Sequence, residues 1–466
     1  MRPEYDVIVI GGGPSGSTCS TLLAQRGRKV LLLEREVFPR FHIGESLTLF
    51  APEAFRRLGV YEELAAMNYV QKRGLEFVLP GKSKKIYFAE RCKHETHSQT
   101  WTFQMPRARL DAVLLKNAEA SGVIVRQQHA VQRVLFEGQR AVGVSFIDLR
   151  RGVPAQPESV YARWLVDCSG QSSVINRQLK NNCFNDRLLD DKIAVFAHWT
   201  GDFEIVNGET ELNFKLCVHP NRRDWFWWFP IDRHLVSIGI VIDRHSIQNR
   251  HCSLEDLFMR RVAETPFIND FFANPSLRRT ENFRSVKDFS YRSRHYYGDG
   301  WVLAGDSAGF LDPIFSTGLQ ICFNTSFKMV DVLDRSLDDG IAVDAHAWQE
   351  YESTVDRLYR INSTLVYKFY QCGIDFEEME RGWSLLSGTT WISPILLLRF
   401  LYHGAQLILR PRSVIRSWAR DVLFGNVQPG NKVADLFLVL ADNYEKLCSR
   451  KLASPAPRQH FVDLEI

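Results

Sequence analysis

Four short stretches of this 466-residue chain place chemically useful residue types at useful spacings. Gly11, Gly13 and Gly16 stand in G-x-G-x-x-G order around Pro14 and Ser15. In that order the first glycine permits a tight turn and the second lets a pyrophosphate approach the backbone. The third lets the following helix pack on the preceding strand. Glu34, about twenty residues on, is where a carboxylate can accept from ribose hydroxyls. A second stretch, "VQKRGLEF", carries Lys72 beside Arg73. An ammonium there can donate hydrogen bonds and a neutral amine can take up an electrophile; burial, by lowering the pKa, decides between them. A third, "RDWFWWFPID", puts five aromatic residues in a row from Trp225 to Phe229 and closes them with Pro230. The fourth, "FLDPIFSTG", ends in Ser316, Thr317 and Gly318, small residues whose backbone N–H groups could cradle an anion in a nest-like turn.

These residues need particular elements to hold them. "YDVIVIGGGPSGSTCSTLLAQRGRKVLLLERE" reads as strand, glycine turn, helix and second strand. Val7 to Ile10 is the short, β-branched run of a strand covered on both faces, and Gly27 caps the helix. A helix N-terminus at Pro14 would offer free N–H groups and its positive dipole end to phosphates. "RARLDAVLLKNAEASG" spaces Leu110, Val113, Leu114 and Ala118 on one helical face. "AVQRVLFEGQRAVGVSFIDLRRG" alternates around a turn at Glu137-Gly138 and leads into the buried strand "RWLVDCSG". Residues 190–285 are strand-like and aromatic, "WVLAGDSAG" returns to the buried-strand pattern, and from about residue 343 the pattern is helical. In the aromatic run, Trp225 and Trp227 share one face of a strand and Phe226 and Trp228 the other.

Composition narrows the class. A hydrophobic fraction of 45% and a charged fraction of 24% suit a globular protein, and a net charge of +4 argues against nucleic acid. Lys82, Lys84 and Lys85 read as a solvated loop. Nine scattered cysteines without a C-x-x-C pair argue against zinc and a disulfide framework, and fit a reducing, cytoplasmic compartment. The strand that begins almost at residue 5 leaves no room for a signal peptide, and Arg399 and His403 interrupt the most apolar later stretch, so no transmembrane segment is expected.

Motif and context alone leave FAD and NAD both open for the nucleotide site. "PRARLD" (Arg107 to Asp111), "LAGDSAG" (with Asp306) and "DCSGQSS" (with Asp167) resemble the flavin-contacting motifs of the aromatic hydroxylase flavoproteins, which implies FAD. No second G-x-G-x-x-G is present, so a separate flavin reductase is expected to supply the reduced cofactor. "FLDPIFSTG" further resembles the F-x-x-P-x-x-S-x-G pattern of flavin-dependent halogenases, and Trp225, Trp227 and Pro230 fit their W-x-W-x-x-P, with Phe229 where the family usually has Ile. Lys72 stands where these enzymes carry their essential lysine, and "PRFHIGES" (Arg40, Glu45, Ser46) adds to the match, so the resemblance runs from residue 5 to about 330.

The resemblance implies an α/β fold: a Rossmann-like FAD-binding domain of the aromatic hydroxylase type, an inserted mostly β substrate domain and a helical C-terminal region. The expected division is 1–70, 106–185 and 286–335 for the FAD domain and 71–105 with 186–285 for the substrate-side sheet. A helical region at 336–450 and a tail at 451–466 follow. Arg107 would sit near the pyrophosphate, Asp306 on the ribityl chain and Pro313 beside the flavin. Ser316, Thr317 and Gly318 would bind chloride or bromide. Hypohalous acid made from halide and O₂ at the reduced flavin would pass to Lys72, then halogenate an electron-rich ring. The chain length resembles the branch acting on phenols or pyrroles, free or attached to an acyl or peptidyl carrier protein, more than the tryptophan halogenases. Two rival readings stand beside it. One is an FAD monooxygenase or isoprenoid-type reductase that uses NAD(P)H and ignores halide; the other is an idle flavin-binding scaffold.

Overall fold

A computed structural model describes residues 3–91, 99–152, 156–184, 191–202, 214–247, 252–338 and 345–371. All of them belong to one compact unit, Met1–Thr390. The second unit, Trp391–Ile466, lies outside the described residues, as do the expected helical stretch beyond 371 and the tail. Among the described residues no helix is long and apolar enough to cross a membrane.

Tyr5–Ile10, whose last four residues are buried, is the central strand of a parallel sheet. Val30–Leu33 flanks it on one side and Glu158–Asp167 on the other; Ile124–Arg126 and Trp301–Leu303 extend the sheet in parallel. Continuous apolar runs suit this position because both faces of each strand are covered. The chain must return after residue 300 because Trp301–Leu303 pairs with Glu158–Asp167. The antiparallel hairpin His129–Glu137 and Arg140–Asp148, turning at Gly138, feeds that same strand.

A second sheet runs in the order Arg278–Arg279, Lys192–Thr200, Leu235–Asp243, Trp225–Pro230, Lys215–Val218, Gly74–Leu79 and Lys82–Tyr87. Lys82, Lys84 and Lys85 therefore belong to a sheet-edge strand and not to the solvated loop that their charge suggested; edge strands tolerate lysine because one side faces water. Residues 190–285 are also not all strand. Helices Leu254–Glu264 and Pro266–Phe272 cover one face of the sheet. Ser253 and Asp256 form a reciprocal capping box at the first of them, a start signal legible in "SLED". Phe226 packs there with Phe258, Val262 and Ile268, and Trp228 meets Phe267 and Phe271 edge-on. The opposite face carries Trp225, Trp227, Ser237 and Gly239.

Two long helices complete the frame, Gly318–Asp338 and Ala345–Gln371. The first breaks no sequence rule but lacks a narrow apolar stripe, since Thr325 and Ser326 are buried among its hydrophobic residues. It packs on helix Pro14–Gln25, where Ser326 Oγ and Ser15 Oγ are 2.8 Å apart. That contact fixes the "FSTG" turn relative to the glycine loop.

Candidate active site

A cleft of about 840 Å³ lies where the carboxyl ends of the parallel strands face the second sheet. This is the end of an open α/β sheet where ligands collect. Gly11, Gly13, Pro14, Ser15, Glu34, Arg40, Glu45, Ser46, Arg107, Asp306, Pro313, Ser316 and Gly318 line it, with Trp225 and Trp227 opposite. Gly16, Lys72, Thr317 and Pro230 stand behind that lining.

The three glycines have three different reasons to be glycine. Gly11 has φ +99°, and a Cβ there would meet the Cys168 carbonyl oxygen at 2.5 Å. A Cβ on Gly16 would fall 1.9 Å from the Gly11 carbonyl oxygen, so helix and strand pack backbone against backbone. Gly13 faces open space, its nearest neighbour being Arg40 Nη2 at 3.6 Å. An open approach to a helix N-terminus between two closed glycines is a cradle for a pyrophosphate, and FAD fits it. Glu34 accepts from Gly12 N–H at 2.6 Å and from Glu36 N–H at 2.8 Å, so the carboxylate that would meet a ribose also splints the loop.

Asp111 organises the positive side of the cleft. Arg107 donates to it through Nε at 2.7 Å and Nη2 at 3.0 Å, and Arg40 through Nη1 at 3.0 Å. Burial opposes the Asp111 charge, yet the guanidinium groups outweigh it and hold the carboxyl below its ordinary pKa. Arg107 Nη1 also donates to the Ile43 carbonyl at 3.0 Å, which ties "PRARLD" to "PRFHIGES". Burial pushes Asp306 up to about 6 against the pull of Arg107.

The aromatic strand divides as its alternation requires. Trp225 and Trp227 face the cleft with ring centroids 6.1 Å apart. Trp227 donates from Nε1 to Ser237 Oγ at 3.3 Å, and its six-membered ring closes on Gly239, its partner on the next strand. A Cβ on Gly239 would come within 2.1 Å of the Trp227 ring. Gly239 thus seats the indole, and an isolated glycine inside "VSIGIV" is the signal that marks such a close approach. Gly239→Ala is expected to destabilise the protein by about 1–3 kcal/mol through overpacking. Thermal unfolding measures that loss, and the emission of Trp227 should shift with it. Pro230 ends the strand, buried and paired in register with Val236.

Lys72 is buried completely. It sits on a two-residue strand, Gln71–Lys72, paired with Thr102–Phe103 and separate from the large sheet. Glu45 and Leu47 bond to the same Thr102–Met105 segment through Met105 N–H and the Phe103 carbonyl, which brings Ser46 to the lysine. Lys72 Nζ donates to Ser46 Oγ at 2.9 Å and lies 4.2 Å from the centre of the Phe214 ring. Burial lowers its pKa to about 7. Beside Ser46, Glu45 accepts from His198 Nε2 at 2.9 Å. Burial disfavours the imidazolium, but Glu45 and then Glu281 outweigh it and raise the His198 pKa. His198 carries no motif, and only the fold brings it to Glu45.

At the "FSTG" turn, Pro313–Phe315 form a tight 3-10 turn and Ser316 is left-handed at φ 58°, ψ 25°. The Ser316 N–H donates to the Pro313 carbonyl at 3.0 Å, so it is engaged within the turn and is not the anion donor that its position suggested. Thr317 and Gly318 open the helix Gly318–Asp338, where first-turn N–H groups lack intrahelical acceptors. Phe310 packs 3.2 Å from where a Gly318 Cβ would be.

The family model for an FAD binding domain matches residues 4–338. A brominase of 1H-pyrrole-2-carbonyl groups on a peptidyl-carrier protein, from Pseudoalteromonas luteoviolacea, is 32% identical over 340 residues, covering 72% of this chain and 78% of that protein. A tryptophan 2-halogenase of Chondromyces crocatus is 27% identical over 368 residues, 78% of this chain and 67% of that one. Among solved structures, the myxobacterial chondrochloren halogenase, described as a variant of FAD-dependent halogenases, aligns with a TM-score of 0.71 and 29% identity. That alignment covers 80% of this chain and 84% of the other.

Proposed function

Because this chain belongs to the FAD-binding domain family and, within it, to the flavin-dependent halogenases, we propose that it chlorinates or brominates an electron-rich aromatic ring with Lys72 as its catalytic residue. The observation that carries the reading is a wholly buried lysine bonded to Ser46, a residue of the cleft wall. Bound reduced FAD supplies, with O₂, the electrophilic oxygen that a halide ion captures as hypohalous acid.

The chain's own residues do the rest. Thr317 and Gly318 N–H groups hold the halide at the helix N-terminus. Trp225 and Trp227 form a partition that an arene cannot cross and hypohalous acid can, so the substrate is halogenated and not hydroxylated. The Lys72 ammonium donates to the hypohalous oxygen and draws electrons from the halogen. The ring carbon then bonds the halogen as the O–X bond breaks, and the ring proton and the hydroxide leave as water. Electrophilic attack demands an activated ring, so a phenol or pyrrole is the substrate class. The carrier-bound pyrrole of the Pseudoalteromonas relative supports a carrier-tethered acyl form. A separate flavin reductase supplies the reduced cofactor, and scattered cysteines suit a reducing cytoplasm.

The test supplies FAD, NADH, a flavin reductase, O₂ and chloride or bromide, with phenolic and pyrrolic substrates, free and on a carrier. Halide-dependent product supports the proposal; halide-independent hydroxylation, or direct oxidation of NADH by this protein alone, overturns it. The pH profile tests the ammonium. With a folded pKa of about 7, Lys72 is charged below that value and neutral above it. Product per flavin oxidised is therefore expected to fall as pH rises through 7, while flavin reoxidation continues. A limb of the opposite sense would assign the work to the neutral amine as a haloamine carrier.

A further inference from the structure

Helix Ala345–Gln371 is fastened along residues 303–312 by three tyrosines. Tyr351 donates to the Leu303 carbonyl at 2.6 Å, Tyr359 to the Gly309 carbonyl, and Tyr370 to Asp312 Oδ2 at 2.9 Å. The first two bond only to backbone. Tyr370 differs, because its oxygen also accepts from Trp225 Nε1–H at 2.9 Å. The other Asp312 oxygen accepts from Ile314 N–H at 2.9 Å, the bond that shapes the Pro313–Phe315 turn ahead of Thr317 and Gly318.

A directional chain results. The Trp225 indole donates to the phenol, the phenol donates to the carboxylate, and the carboxylate accepts from the turn. Phe369, one residue earlier, meets the Trp225 and Phe315 rings edge-on, each at 6.3 Å. Lys192 Nζ lies 4.1 Å from the centre of the Tyr370 ring; burial pushes the Asp312 carboxyl up to about 6, against the opposing pull of the Ile314 N–H and the Lys192 charge. One helix end is thus wedged between the aromatic strand and the turn, in contact with both.

We propose that Phe369 and Tyr370 form a positioning device that couples the seat of Trp225 to the shape of the Thr317–Gly318 turn. Tyr370 acts through Asp312 and Trp225 and touches neither halide nor ring. The inference rests on the reading of that turn as the halide site. A hydroxyl is required because the position must donate and accept at once; phenylalanine keeps the ring and leaves an indole N–H and a carboxylate oxygen without this partner.

The test titrates bromide against the full-length enzyme loaded with FAD and fed by a flavin reductase. Tyr370→Phe is expected to raise the bromide KM roughly tenfold, about the loss of one hydrogen bond to a charged group. It should lower product per flavin oxidised and leave FAD content and flavin reoxidation at wild-type levels. Tyr359→Phe, which removes a bond from the same helix to backbone only, should leave the bromide KM unchanged. Equal KM shifts in both variants would reduce Tyr370 to general support of the helix and overturn the inference. So would an unchanged KM in Tyr370→Phe. A wild-type enzyme whose product formation ignores bromide would instead remove the halide reading, and this inference with it.

Discussion

Lys72→Met is expected to leave a protein that folds, binds FAD and reoxidises it with O₂, and to lose halogenated product by roughly 10²–10⁴-fold, the usual contribution of a positioned proton donor. Methionine keeps the apolar stem of a side chain that is 0% exposed, so the loss isolates the ammonium from its volume. Stability is expected to move the other way. The lysine is shifted down from 10.5 to about 7 by burial. Between those values the unfolded chain binds a proton that the folded chain does not, so wild-type stability falls as pH drops across that window and levels off below about 7. Lys72→Met lacks this dependence, and its melting temperature relative to wild type should rise as pH falls from 10 towards 7. Product retained in Lys72→Met, with flavin oxidation intact, would remove the lysine from the mechanism. Calorimetry across the same pH range checks the stability half independently.

Gly16→Ala is the second large effect, and it acts on the cofactor. The new Cβ would lie 1.9 Å from the Gly11 carbonyl oxygen, a contact between two backbones with no flexible side chain to yield. Helix Pro14–Gln25 must move off strand Tyr5–Ile10, taking with it the N-terminus that faces the open side of Gly13. Losing the alignment of those N–H groups with the phosphates is expected to weaken FAD binding by about a hundredfold, by analogy with the cost of small misplacements in catalysis. The variant should purify without the flavin absorbance of the wild type and show a similarly raised FAD dissociation constant by fluorescence titration. Gly13→Ala, whose Cβ meets only Arg40 Nη2 at 3.6 Å, should fold normally and weaken FAD through the approach to phosphate alone. Equal flavin content in Gly16→Ala and wild type would refute the close-packing account.

Much of the site was legible because it is written in local patterns. The glycine spacing, the apolar run Val7–Ile10 and the cap at Gly27 each follow from steric rules acting over a few residues. The division of the aromatic strand, with Trp225 and Trp227 on one face and Phe226 and Trp228 on the other, follows from the period of two. Other features carry a local sign whose meaning only the packing reveals, such as the capping box at Ser253 and Asp256 and the lone glycine at 239. Still others carry none. His198 meets Glu45 across 153 residues and Tyr370 meets Trp225 across 145, and neither pair has a spacing that distinguishes it from chance.

The sequence by itself therefore determined the family, the FAD-binding fold and the candidate site residues, since those depend on residue type and near neighbours along the chain. The tertiary structure alone decided which of them work together. Lys72 sits on a two-residue strand of a minor sheet, and nothing along the chain shows that it is buried completely or that it donates a hydrogen bond to Ser46. Its pKa of about 7 is a property of that burial, not of lysine. Ser316 looked like an anion donor until the turn engaged its N–H. A side chain's reach is local, but its solvent exposure and its hydrogen-bond partners are set by segments that only folding brings together.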